Sequence, residues 1–286
     1  MKTEVTLGSR SFRGLSVKEL RYLLSKAYDL GISKIDTAPT YGDVEKLIGR
    51  ATSKSLKNKY HISTKILRNN LEQGKTLKRA IYKSIGALGL EQIDTIYFHG
   101  TNLEFVPPET FWLLSELAND GVVQKIGYSG DNENLQSALQ NRQITEFLIT
   151  LNIVDQKNIN YISNDRTFVA KRVLANVFWD SAGRLDLKTR AFGRYEIKEK
   201  LKIYEQRWKT LGVEVELHNI NQIREKFLRF AAFTPEISGV IIGSSKFENI
   251  NECMDDLKKG SLPASEYLNF RKMWNSNSNP DWETIV

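Results

Sequence analysis

Short apolar runs of β character alternate with amphipathic helical stretches along almost the whole chain. VKELRYLLSKAYDLG has the spacing of a helix closed by Gly31, and ISKIDTA follows as a β run. GDVEKLIGRATS reads as helix and YHISTKI as strand; LKRAIYKSIGALGL reads as helix and IDTIYFH as strand. PPETFWLLSELANDG begins with prolines suited to a first helical turn and ends at Gly121, and VVQKIGYS is the next strand. NENLQSALQNR is helical, EFLITLNIV is a strand, and RVLANVFW is the seventh strand candidate after an irregular connection through NYISNDRTFVAK. A polar, mostly helical stretch over roughly 186–230 leads to the strand SGVIIGSS and the helix FENINECMDDLKK. Ile32, Ile62, Ile93, Val122, Phe147, Val173 and Val240 mark seven strands, and the N-terminal RSFRGLS region supplies an eighth.

Strands separated by helices require a parallel sheet with right-handed crossovers. At 286 residues the chain suits an α/β barrel, which typically takes about 250 residues as one domain. The expected architecture is therefore a (β/α)8 TIM barrel forming a single domain over 1–286. No G-x-G-x-x-G follows any strand, which removes the main signature of the open dinucleotide-binding sheet.

In a barrel the strand C-termini gather at one mouth, where side chains from different strands can meet. Asp36, Tyr41, Lys65 and His99 each stand where a β run gives way to a loop. A carboxylate, a phenol, an ammonium and an imidazole together make a proton-transfer set. Each has a structural reading when taken alone. Asp36 suits a helix cap, Tyr41 a half-buried aromatic, Lys65 a solvated strand end and His99 a hydrogen-bonded core residue.

The ordered segments Asp36-Thr-Ala-Pro-Thr-Tyr41-Gly, ISTK with Lys65, IDTIYFH with His99, GVVQKIGYS, LNIVDQ and GVIIGSSKFENINE resemble the aldo-keto reductase superfamily, with a divergent, bacterial-type pattern. The resemblance implies reduction of an aldehyde or ketone by NADPH, with NADH as a substitute, or the reverse reaction. It implies Asp36, Tyr41, Lys65 and His99 as catalytic residues, and Ser129, Gly243, Ser244, Ser245, Lys246 and Asn249 as cofactor contacts.

The chemistry agrees with that implication. Hydride addition leaves negative charge on oxygen, which a proton from a phenol can meet. A phenol with a pKa near 10 gives up its proton sluggishly at neutral pH, and an adjacent ammonium favours the phenolate. A free-N–H loop that opens a helix suits phosphate, and Gly243-Ser244-Ser245-Lys246 before FENINE has that form.

The chain departs from the family pattern at several contacts. Gly130 follows Ser129 where asparagine is usual, Leu148 stands for a sixth-strand glutamine, and Asn249 stands for an arginine that reads the 2′-phosphate. The seventh-strand aromatic aligns near Asn176, with Phe178 or Trp179 as substitutes. Phe105 and Trp282 are candidate pocket aromatics, and Cys253 reads as a packed thiol.

Other classes are disfavoured. The net charge of +7 is compatible with nucleic-acid binding, but the lysines of YEIKEKLKIYEQRWK are interleaved with glutamates at helical spacing, the mark of a solvated face. There is no apolar run of about 20 residues to span a membrane, and MKTEVTLGSRSF lacks the apolar centre of a secretory signal. Cys253 is the only cysteine, which fits a reducing cytoplasm. His61, His99 and His218 are too few for a histidine-rich metal site. Two rivals stand beside a carbonyl reductase with a small-molecule substrate. One is a catalytically weak nucleotide-binding barrel acting as sensor or subunit, and the other is an isomerase or lyase using Tyr41 and Lys65.

Overall fold

The computed structural model of the protein describes residues 3–52, 56, 58–71, 74–180, 194–213 and 219–285. Eight strands close into a parallel barrel in sequence order: β1 (Glu4–Gly8), β2 (Lys34–Asp36), β3 (His61–Ile66), β4 (Ile93–His99), β5 (Val123–Ser129), β6 (Glu146–Thr150), β7 (Thr167–Lys171) and β8 (Ile237–Ile242). β1 pairs with both β2 and β8 and completes the closure, so no sheet edge is left open.

Nine α-helices lie among the described residues: α1 (Val17–Asp29), α2 (Val44–Thr52), α3 (Gly74–Leu88), α4 (Pro108–Asn119), α5 (Asn132–Leu139), α6 (Arg194–Leu211), α7 (Ile220–Ala232), α8 (Phe247–Lys258) and α9 (Ala264–Asn277). α1 illustrates how local sequence sets the ring. Ser16 and Glu19 form a capping box at its start, and Gly31 follows its end at a φ of +85°. Leu20, Leu23, Leu24 and Ala27 recur at helical spacing and are buried against the sheet. Each of the three buried leucines contributes about 1.5–3 kcal/mol.

Strand alternation decides which side chains face the barrel axis. Ile35 joins the outer core under the helices, so its neighbour Asp36 points inward. Thr64 donates through Oγ1 to Glu45 on α2 at 2.7 Å, which turns Lys65 inward. Phe98 packs against Phe111 of α4 with ring centroids 5.3 Å apart, so Tyr97 and His99 face the interior. Tyr97, Leu148 and Val169 make a small interior layer of their own, with Ile241 against it.

Two expected strands lie elsewhere. β1 is EVTLG rather than RSFRGLS, and Ser9–Phe12 forms a 3-10 turn beyond it. β7 is TFVAK, from the supposed connection, rather than RVLANVFW. Arg172, Ala175, Asn176 and Val177 have φ values of 54°, 44°, 54° and 54°, which no strand tolerates. Phe178 and Trp179 pack instead into an aromatic cluster with α6 and α7; Trp179 lies 4.9 Å from Phe227, and Phe178 lies 5.7 Å from Trp208. The seventh-strand position at the barrel mouth is therefore Lys171, not Asn176. The long polar stretch is helical where described, in α6 and α7. Its residues 186–193 and 214–218, His218 among them, lie outside the described residues.

Candidate active site

Asp36 ends β2, Lys65 is the penultimate residue of β3 and His99 ends β4, so all three open on one mouth. Tyr41 follows in a 3-10 turn, Pro39–Tyr41, whose first residue has its φ fixed by the proline ring. Its backbone N–H donates to the Ala38 carbonyl at 3.0 Å, and Gly42 then turns the chain away at a φ of +72°.

Lys65 is the hub. Its Nζ donates to Asp36 Oδ1 at 2.5 Å and to the Thr37 carbonyl at 2.8 Å. It lies 5.6 Å from the centroid of the Tyr41 ring and 6.0 Å from that of Tyr97. Asp36 and Lys65 are 7% and 4% exposed, which excludes the helix-cap reading of one and the solvated reading of the other. Burial pushes Lys65 toward neutrality, but Asp36, Tyr41 and Glu45 outweigh it and hold the ammonium above its ordinary range. Burial raises the Asp36 carboxyl above the usual range, although Lys65 and Lys171 oppose the shift. Below them Tyr97 donates its hydroxyl proton to Glu146 inside the barrel.

His99 is half-buried. Burial, followed by Lys65, Lys171, Arg172 and Arg10, lowers its pKa to about 4. The imidazole is therefore neutral at pH 7 and can exchange hydrogen bonds without carrying charge.

A second ion pair, partly buried and absent from the sequence reading, shares this mouth. Lys171 Nζ donates to Asp131 Oδ2 at 2.7 Å. Asp131 also accepts from the Thr150 N–H at 2.7 Å, the Thr150 hydroxyl at 3.1 Å and Asn158 Nδ2 at 2.8 Å. Burial opposes ionisation of Asp131, but Lys171 and the Thr150 N–H prevail and hold it below the ordinary carboxylate range. Lys171 is shifted down, first by burial and also by Arg172 and Lys65. The signal for this pair was the charge ending TFVAK and the acid after GYSG.

The candidate cofactor residues fall into two groups. Ser129 ends β5, buried at 5% exposure. Gly243, Ser244, Ser245 and Lys246 join β8 to α8, and Asn249 is exposed in the first turn of that helix. Ser244 Oγ accepts from the Lys246 N–H at 3.1 Å. Lys246, the residue at the N-cap of α8, makes no side-chain cap, so the first-turn N–H groups are free of a capping side chain. A Cβ at Gly243 would come within 3.3 Å of the Gly8 carbonyl, so the loop runs close against β1. A loop of this form, opening a helix with free N–H groups, can accept a phosphate.

The departures have structural causes. A Cβ at Gly130 would meet the Tyr128 ring at 2.5 Å, because Tyr128 reaches across to donate to the Thr101 carbonyl at 3.1 Å. Leu148 belongs to the interior apolar layer. Of the candidate pocket aromatics, Phe105 is 72% exposed, while Trp282 packs on Trp274 and under the Arg207 guanidinium, 4.9 Å from its ring centroid. Cys253 is buried and its thiol is pushed up to about 12, mainly by burial. Among the described residues no helix is long and apolar enough to cross a membrane, and no three His, Cys, Asp or Glu side chains cluster to hold a metal.

The barrel fold has counterparts among known proteins. The chain is 26% identical over 277 residues to an uncharacterized oxidoreductase of Bacillus subtilis (strain 168), covering 87% of this chain and 85% of the relative. It superposes on an aldo-keto reductase of Bacillus halodurans in its holo form with a TM-score of 0.72, at 19% identity and covering 94% and 91% of the two chains. An aldo/keto reductase of Klebsiella pneumoniae, solved with NADP and acetate, superposes with a TM-score of 0.67 at 17% identity, covering 99% and 94%. The model of the aldo/keto reductase family matches residues 4–275, and the chain belongs to that family of oxidoreductases.

Proposed function

We propose that the protein reduces an aldehyde or ketone to an alcohol with NADPH, Tyr41 serving as general acid and Lys65, Asp36 and His99 assisting it. The observation that carries this reading is the buried Lys65 ammonium, held 2.5 Å from Asp36 and lying over the Tyr41 ring. The uncapped start of α8 with Ser244, Ser245 and Lys246 fits the phosphates of a nicotinamide dinucleotide. Lys246 supplies the charge for a 2′-phosphate, and Ser129 offers a hydroxyl at the β5 end.

When bound, the dihydronicotinamide supplies the hydride, which no side chain can. As hydride reaches the carbonyl carbon, the C=O π pair moves onto oxygen. Tyr41 delivers its proton there, and the phenolate that remains is stabilised by the Lys65 ammonium. Asp36 and the Thr37 carbonyl fix the position of that ammonium. Neutral His99 hydrogen-bonds the substrate oxygen without repelling Lys65. Solvent then reprotonates Tyr41, which is half-buried and not sealed.

Gly130 and Leu148, which lack amide groups expected to grip the nicotinamide, favour the second reading, a nucleotide-binding barrel with little turnover. A panel of aldehydes and ketones, followed by oxidation of NADPH, separates the two. Reduction of carbonyl compounds with alcohol formed in equal amount supports the reductase; tight NADPH binding with no turnover of any compound supports the sensor.

A further inference from the structure

Charge is unevenly shared along the chain. Residues 1–90 hold 18 Lys and Arg against 7 Asp and Glu, an excess of +11, whereas residues 91–286 hold 23 against 27, a balance of −4. Such asymmetry is typical of chains that meet a polyanion. In the folded chain part of the excess gathers on α3, whose sequence GKTLKRAIYKSIGAL contains no acidic residue. Leu77, Ile81, Ile85 and Leu88 bury the inner face of this helix, so Lys75, Lys78, Arg79 and Lys83 stand exposed on the outer one.

Other helices rich in cations carry their own counter-charges. Lys209 pairs with Glu205 on α6 at 2.7 Å, Arg229 with Glu225 on α7, and Lys258 with Asp255 on α8 at 2.7 Å. By contrast, Lys75, Lys78, Arg79 and Lys83 have no ion-pair partner among the described residues. Lys75, Arg79 and Lys83 recur at every fourth residue, about 6 Å apart along the helix axis, a row along which a phosphate backbone can run.

The row continues across the neighbouring helices. A Cβ at Gly49 of α2 would come within 2.4 Å of the Ala87 carbonyl, so the end of α3 lies tight against α2. Arg21 of α1 donates from Nε and Nη2 to the carbonyls of Ala51 and Arg50, at 3.1 and 2.9 Å, which fixes an exposed guanidinium at the end of α2. Two rings flank the cations: Tyr82 on α3, 49% exposed, and Tyr22 beside Arg21, 58% exposed. They are the only exposed large hydrophobics among the described residues of α1, α2 and α3.

That composition discriminates between polyanions. A membrane-docking face inserts aliphatic or indole groups, and a protein interface buries an apolar centre. The described residues of these helices offer neither. Phenol rings set among cations suit a single strand, whose unpaired bases stack on aromatic side chains while its phosphates meet Lys and Arg.

We propose that the outer face of α3 binds single-stranded nucleic acid, with Lys75, Lys78, Arg79 and Lys83 as phosphate contacts and Tyr82 as a stacking platform. The strand continues across α2 to Arg21 and Tyr22. This face is on the outside of the barrel and is independent of the carbonyl-reductase reading.

Fluorescence anisotropy of the full chain with a labelled, mixed-sequence RNA of about 16 nucleotides tests it between about 50 and 200 mM salt. The logarithm of the affinity should fall with that of salt concentration at a slope of about −0.7 per phosphate contact, or about −3 for the four α3 cations. Lys78→Gln/Arg79→Gln should weaken binding by about tenfold or more at the lowest salt and flatten the slope by about 1.4. Tyr82→Ala should weaken it by about 5–150-fold and leave the slope unchanged. All three side chains are exposed, and circular dichroism checks that the variants keep the fold. No binding at the lowest salt would overturn the proposal, as would affinity unchanged in both variants. Equal affinity for a duplex of the same sequence would remove the single-strand assignment. Tighter binding to phosphatidylserine vesicles or to polyglutamate would give the face to a membrane or to an acidic protein instead.

Discussion

Lys65 Nζ lies 2.5 Å from Asp36 Oδ1, with both side chains almost sealed from solvent. Removing one partner of such a pair leaves a buried charge uncompensated and costs about 3–5 kcal/mol. Lys65→Met should therefore lose both activity and stability. The double variant Lys65→Met/Asp36→Leu should recover most of the stability and none of the activity, because an apolar pair fills the space without supplying a cation to Tyr41. Urea unfolding and turnover measured on the same samples check this. Recovery of activity in the double variant would reduce the pair to scaffold.

His99 gives a pH signature of defined sign. Its pKa is about 4 in the folded protein and near 6.5 in the unfolded chain, so the unfolded state binds the proton first as pH falls. The contribution is complete above about pH 6.5 and is lost between there and about pH 4, amounting to at most about 3 kcal/mol. The difference in stability between wild type and His99→Asn should narrow over that window. Turnover should show no inflection near pH 6.5 from this imidazole.

Gly130 is set by Tyr128. The ring occupies the space that a Cβ would need, at 2.5 Å, so Gly130→Ala should destabilise the fold by about 1–3 kcal/mol, as overpacking does. Combined with Tyr128→Leu, the two losses should be less than additive in a denaturation cycle. Full additivity would mean the glycine serves another purpose.

Cofactor discrimination should be modest. Asn249 offers a neutral amide where the family resemblance suggests arginine, leaving Lys246 as a point charge without fork geometry. NADPH should bind no more than about tenfold tighter than NADH, a difference of roughly 1.4 kcal/mol. The preference should diminish in Lys246→Ala and at high salt. Tryptophan-fluorescence titration of both cofactors measures it, and a preference of several hundredfold insensitive to Lys246→Ala would point to another basic residue.

The barrel was legible because helical spacing and β runs alternate, and because Asp36, Lys65 and His99 sit at run ends. β7 was missed for a physical reason. TFVAK is only five residues with its middle three buried on both faces, so it lacks alternation, while the more apolar RVLANVFW next to it carries left-handed residues visible only in the backbone. The same slip displaced Lys171 from its place at the mouth and hid its pairing with Asp131, forty positions away in sequence. The motif points to Tyr41, but the burial that brings Lys65 to 5.6 Å from its ring depends on the closed barrel.

In the proposed mechanism Tyr41 hands the proton to the substrate oxygen. Tyr41→Phe, studied by single-turnover mixing of the NADPH-bound protein with a carbonyl substrate, tests it most directly. NADPH affinity should stay close to wild type while the rate of cofactor oxidation falls by about 10²–10⁴-fold, the usual contribution of a positioned general acid. Near-normal oxidation in this variant, with cofactor binding intact, would contradict the assignment and leave His99 as the group to test next.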